Sequence, residues 1–288
     1  MILLSFLMMM QSGLLQPGGN PRPPAESELP VPRAKKAETT APVASREADS
    51  KATQCAALRK DDAAAAARFA ESWLAGADAA DDRRAARLCL GISQASLLRW
   101  EAAEQTFTVL ARETPLDSEE AVAIRAMAGM AAIAGGFPDR AMAMLDEAMH
   151  GGHLIDAAQL GGIQIDRGRA LVTLGRLDEA RLALDQGTSL LPQDSEGWLL
   201  SATLYRRVRD LVPAQAAIER AAQLAPDDPA VGLEAGVIAM LGGREEAARK
   251  SWNSVIALAP QSNEARIAQG YLEQIGPEET APAGSARP

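Results

Sequence analysis

The chain has 288 residues, 47% of them apolar but only 3% aromatic, with a formal charge of −9 and a pI near 4.9. That acidity argues against nucleic acid as a partner, because phosphates would be repelled. Small side chains in this proportion suit closely packed helices rather than a β-sandwich, which favours branched and aromatic residues.

The first segment, 1–16, opens "MILLSFLMMM" and holds ten Ile, Leu, Phe or Met residues after the initiator within its first fifteen positions. About fifteen residues of helix span roughly 22 Å, short of a hydrocarbon core of about 30 Å. That length fits the apolar region of a secretory signal, although no Lys or Arg precedes Arg22 and no Ala-x-Ala site follows. Three readings stay open: an export signal, a weak membrane anchor through residues 1–15 that stays uncleaved, or an apolar start on a cytoplasmic protein. Residues 17–51 follow with Pro17, Pro21, Pro23, Pro24, Pro30, Pro32 and Pro42. This stretch cannot bury enough apolar surface to offset the entropy of ordering, so a disordered tether is expected. The tail 277–288 is expected to be disordered as well.

Between them, residues 52–276 carry a helical pattern with no alternating strand signal. Pro192, Pro226 and Pro260 stand 34 residues apart, each after an Ala- or Leu-rich helix end. A step of that size marks a stacked repeat. In this frame 52–83 is a degenerate first unit, and 84–117 holds Leu90, Gly91, Ala103, Phe107 and Pro115. Unit 122–155 holds Gly129, Gly136, Ala141, Leu145 and Ala148, with His153 at the proline position. Unit 161–194 holds Gly168, Gly175, Ala180, Leu184 and Pro192. Unit 195–228 holds Trp198, Ala202, Tyr205, Ala214, Ile218, Ala221 and Pro226. Unit 229–262 holds Gly236, Gly243, Ala248, Trp252 and Pro260, and 263–276 is a closing helix.

Small residues thus recur at two places where helices must approach, and a large one four positions after the second fills the adjacent space. Asp228 with Pro229 suits a helix start, Gly175 a helix end, and Asp178 a cap for the next helix. Four extra residues before 122 and five before 161 imply longer loops or helices on one side of the stack.

These columns resemble the tetratricopeptide repeat, a 34-residue helix–turn–helix with Trp, Leu-Gly, Tyr, Ala, Phe, Ala and Pro positions. Unit 195–228 matches best, with Ser201-Ala202 where Leu-Gly is usual. The resemblance implies an all-α, right-handed α-solenoid whose inner surface, lined by the first helix of each unit, holds a peptide or a partner helix. Carried over column by column, the groove comprises Leu88, Ile92, Met130, Ile165, Arg169, Val172, Leu199, Thr203, Arg206, Arg207, Val237 and Met240. The Lys and Asn that grip a C-terminal carboxylate in co-chaperone members are absent. Arg169, Arg206 and Arg207 instead suit an amphipathic or acidic segment, or are solvated surface groups.

Cys55 and Cys89 fall on first helices that are neighbours in such a stack. In an oxidising compartment a disulfide is expected there; otherwise the two are buried thiols. His150 and His153 lie near Met127, Met130, Met142, Met144 and Met149, a set more typical of core filling than of a soft-metal site. No motif for catalysis, a cofactor or a metal is found. The expected function is a non-catalytic adaptor in a periplasmic or exported setting that binds a protein segment. The alternatives are a cytoplasmic self-associating scaffold and, less favoured, a metal-handling protein.

Overall fold

A computed structural model describes residues 43–115 and 117–277, with side chains from Ser50 onward. The expected signal or anchor at 1–16, most of the tether and the tail after Pro277 lie outside the described residues. Among the described residues there are thirteen α-helices, one 3-10 turn at Gly152–Leu154, and no strand. The chain divides into two compact units, one ending at Arg99 and one beginning at Trp100.

The N-terminal unit holds α1 (Val43–Asp61), α2 (Ala63–Ala75) and α3 (Ala80–Ser96). Helix therefore begins before residue 52, inside the stretch expected to be disordered up to 51. The reason is local: no Pro or Gly occurs between Pro42 and Gly76, and Ala, Glu, Lys and Arg dominate. Asp62 then separates the two helices and caps α2, accepting from the Ala65 amide at 2.8 Å. The core is small: Ala67, Ala70 and Trp73 of α2 meet Ala86, Cys89 and Leu90 of α3 and Cys55 of α1. The indole Nε1 of Trp73 donates to Asp82 Oδ1 at 2.7 Å. A disulfide joins Cys55 to Cys89, with Cα atoms 6.2 Å apart.

The second unit runs through α4 (Trp100–Glu113), α5 (Glu119–Ala134), α6 (Pro138–His150), α7 (Ala157–Thr173) and α8 (Leu177–Leu190). It continues through α9 (Ser195–Arg207), α10 (Leu211–Leu224), α11 (Pro229–Leu241), α12 (Glu245–Leu258) and α13 (Asn263–Ile275). Helix–turn–helix pairs form as α5 with α6, α7 with α8, α9 with α10, and α11 with α12, and α13 packs on the last pair. The small-residue columns set the approach. A Cβ on Gly129 would come within 2.6 Å of Leu145, and one on Gly168 within 2.5 Å of Leu184. In the third pair Ala202 and Ile218 join the same cluster.

The two insertions become helix. Ser118 caps α5, and Asp156 with Gln159 forms a reciprocal capping box on α7. Accordingly α5 and α7 run 16 and 17 residues, against 13 for α9, α11 and α13. Asp228 caps α11 with Pro229 in its first turn, as expected. Asp178 does not cap α8: Arg176 holds that position, and Asp178 lies in the first helical turn, where its charge suits the helix dipole. Met127 and Met142 are buried in the core, while His150 ends α6 and His153 sits in the 3-10 turn.

Candidate partner-binding surface

The first helices of successive pairs are tied directly to one another along one face. Gln159 of α7 donates to Glu119 of α5 at 3.2 Å. Arg169 of α7 reaches Glu196 of α9 at 2.7 Å, and Arg206 of α9 reaches Glu234 of α11 at 2.6 Å. Most of the expected groove residues lie on these helices. Met130 (α5), Arg169 and Val172 (α7), Leu199, Thr203 and Arg206 (α9), and Val237 and Met240 (α11) are all half-buried. Val172, Leu199, Val237 and Met240 pack one side against the buried clusters and leave the other open.

Four of the expected residues depart from that row. Ile165 is buried in the core at 3% exposure, because α7 approaches α8 at Gly187 and α9 at Gly197, and Ile165 fills both gaps. Leu88 and Ile92 lie on α3, in the N-terminal unit. Arg207 is on α9 but exposed, at the start of the turn to α10.

The arginines are also less available than their sequence pattern implies. Besides Glu196, Arg169 binds Asp166 Oδ1 of its own helix at 3.2 Å. Burial pushes the Asp166 carboxyl up to about 6; Arg169 pulls it down, and Glu196 and Asp194 push it further up. One guanidinium therefore serves two carboxylates, and Arg206 is occupied by Glu234. The sequence reading did not pick out Asp166, Glu196 and Glu234. The signal was there: Asp166 stands three residues before Arg169, and each bridging Glu lies 27 or 28 residues after its Arg, one repeat on and about two turns back.

Two further contacts fix the frame. Tyr205 donates to Asp185 Oδ1 at 2.7 Å, joining α9 to α8. Its hydroxyl is pushed up to about 12 by burial first and then by that hydrogen bond. On α5, Arg125 is buried, donating to the Ala111 and Ala121 carbonyls at 3.0 and 2.9 Å and to Glu147 at 3.2 Å. It thereby satisfies a carbonyl at the end of α4. Arg125, Glu147 and His150 line a cleft of about 440 Å³ with Ala121, Val122 and Gly151. Among the described residues, no group of three or more His, Cys, Asp or Glu is placed to share a metal ion, and no helix is long and apolar enough to cross a membrane.

Helix pairs joined by tight turns, small residues at the crossings and first helices aligned along one face define an α-solenoid of tetratricopeptide repeats. Solved structures of that fold resemble it at low identity. PilW, a type IV pilus biogenesis factor, is 18% identical at a TM-score of 0.67, over 78% of this chain and 99% of PilW. PilF of Pseudomonas aeruginosa is 14% identical at a TM-score of 0.64, over 80% of this chain and 99% of PilF. YrrB, a tetratricopeptide-repeat protein with an unusual peptide-binding site, is 17% identical at a TM-score of 0.50, over 64% of this chain and 91% of YrrB. No protein-family model and no curated protein sequence matches the chain.

Proposed function

We propose that the chain is a non-catalytic interaction scaffold that holds an amphipathic segment of a partner protein along the first helices α5, α7, α9 and α11. The observation behind this reading is the row of half-buried apolar side chains, Met130, Val172, Leu199, Val237 and Met240, on consecutive first helices. Arg169 and Arg206 interrupt that row but are neutralised from within. An acidic segment would find both already engaged, so amphipathic rather than acidic character is the partner chemistry favoured on this face. The peptide-binding site of YrrB supports the same use of the fold.

The setting we propose is the cell envelope, in an assembly task. Two observations support it: the Cys55–Cys89 disulfide, which persists in oxidising compartments, and the likeness to a pilus biogenesis factor. Both parts of the proposal can be tested in native cells. Val237→Glu and Thr203→Arg should reduce partner capture severalfold while leaving the helical circular dichroism and the melting temperature unchanged. Undiminished capture by both variants would overturn the binding reading. For the setting, acid-quenched cells treated with a thiol-specific mass tag should show both cysteines blocked until reductant is added. Two free thiols would overturn it.

A further inference from the structure

In the second unit four turns join a first helix to a second helix, and each has one residue with positive φ. These are Gly136 (79°), Gly175 (74°), Arg209 (64°) and Gly243 (71°). With those residues aligned, the turn between α9 and α10 departs from all three siblings in two columns and from two of them in a third. Where three turns place glycine in the left-handed region, this one places an arginine, which is strained there. Three residues later the siblings carry Asp139, Asp178 and Glu246, acids that favour a helix N-terminus; here stands Val212. One residue earlier, where the siblings have Gly135, Leu174 and Gly242, stands Val208.

None of these choices helps the turn itself. Val212 is 82% exposed and Val208 43% exposed. Arg207 and Arg209 are exposed as well, and Asp210, directly after Arg209, is the one acid of the turn. Arg206, just before, is drawn away to Glu234. Among the described residues neither the Arg207 nor the Arg209 guanidinium has a side-chain partner; they stand on either side of Val208, with exposed Val212 three residues after Arg209, on a chain whose formal charge is −9.

We propose that the turn Arg207–Val212 is a second docking surface, separate from the row of first helices, for an acidic partner segment that carries an apolar side chain. Its carboxylates would pair with Arg207 and Arg209, as guanidinium groups accept carboxylates in a two-point geometry. Its apolar group would cover Val208 and Val212. Charge complementarity favours this occupant. A membrane is disfavoured, because recognition of anionic lipid draws on larger basic clusters or on aromatic and leucine anchors, and two arginines with two valines supply neither.

The sibling turns provide the test variants. Arg209→Gly and Val212→Asp install residues of the kinds other turns of this same chain already carry, so they preserve the fold. Full-length protein and the double variant would be titrated with a fluorescein-labelled peptide alternating Glu and Leu. The same peptide with Lys for Glu, and vesicles of phosphatidylglycerol, would be run alongside. The expected result is binding of the Glu–Leu peptide alone, with amide NMR shifts centred on 206–213. The double variant should weaken that binding at least tenfold while keeping or raising the melting temperature. Failure of the Glu–Leu peptide to bind, equal binding of the Lys–Leu peptide, or binding unchanged in the double variant would overturn the proposal. Vesicle binding lost in the double variant, with no effect on the peptide, would overturn it in favour of lipid.

Discussion

Arg169 holds Asp166 of its own helix at 3.2 Å and Glu196 of the following repeat at 2.7 Å with a single guanidinium. Burial pushes the more enclosed carboxylate, Asp166, up to about 6, against the pull of Arg169 and with a further push from Glu196, which shares that cation. In the unfolded chain an Asp ionises near about 3.9. Between these values the folded chain binds more protons than the unfolded one. The contribution of Asp166 to stability is therefore greatest below about pH 4 and is lost as the pH rises through about 6. Replacing it by Asn removes that dependence. The stability of Asp166→Asn relative to the parent should grow between pH 4 and 6, by on the order of 2 kcal/mol, and stay level above about pH 7. Urea unfolding of both proteins across this range measures the difference. A difference independent of pH would show that Asp166 titrates as an ordinary surface acid.

The disulfide concentrates its effect on one helix. Among residues 50–61, Cys55 is the only buried side chain of α1; Lys51 and Leu58 are half-buried and most of the rest face solvent. Weak contacts assist, such as Lys51 at 3.9 Å from Asp82. Closing a loop of about this length is worth roughly 3–4 kcal/mol in the chain-entropy account. The Cys55→Ser, Cys89→Ser double variant should therefore lose amide-exchange protection across 50–61 while α5 to α13 keep theirs. Protection of α1 that survives in the variant would mean that packing, not the covalent link, holds this helix.

What the sequence disclosed divides along a physical line. The columns set by contact between neighbours in one repeat, such as Gly168 with Leu184 or Asp228 with Pro229, are local in register and were legible. So was the pairing of Cys55 with Cys89, which stand in equivalent places one repeat apart. The placement of the expected first-helix residues was only half legible. Column transfer finds which residues lie on the first helices, but not how each is turned: Ile165 goes inward because glycines at 187 and 197 leave room for it. Nor does it reveal that Arg169 and Arg206 are already paired, since that depends on side chains of the next repeat. The start of α1 was missed because prolines up to Pro42 coloured the reading of the helix-forming residues that follow.

Two glycines separate two kinds of constraint. A Cβ on Gly236 would overlap the indole of Trp252, whose Nε1 donates to the Leu233 carbonyl at 3.2 Å. Gly236→Ala should destabilise by about 1–3 kcal/mol through overpacking. Much of that loss should be recovered in combination with Trp252→Leu, because the pair shares one contact. Gly136 has open space around its Cβ position but a φ of 79°. Gly136→Ala should cost about 1 kcal/mol through the backbone alone, with no rescue from any core substitution. Chemical denaturation of the four variants tests both statements. Full additivity of Gly236→Ala with Trp252→Leu would remove the packing account.

The N-terminal unit offers the converse experiment at Leu98, a leucine with φ 58° that is 63% exposed. Its backbone ends α3: the Leu97 amide donates to Ser93 at 3.1 Å and the Leu98 amide to Ala95 at 3.0 Å. The left-handed conformation strains any residue with a Cβ, whereas glycine adopts it freely at some cost in unfolded-state entropy. The net effect of Leu98→Gly should be a gain of about 0.5–1 kcal/mol. Leu98→Ala retains the strain and should change stability little. Native-state hydrogen exchange at the Leu97 and Leu98 amides reports this locally, where a gain of that size slows exchange roughly two- to fivefold. If alanine stabilises as much as glycine does, the relief comes from removing an exposed apolar side chain, and the strain at this turn is not what limits it.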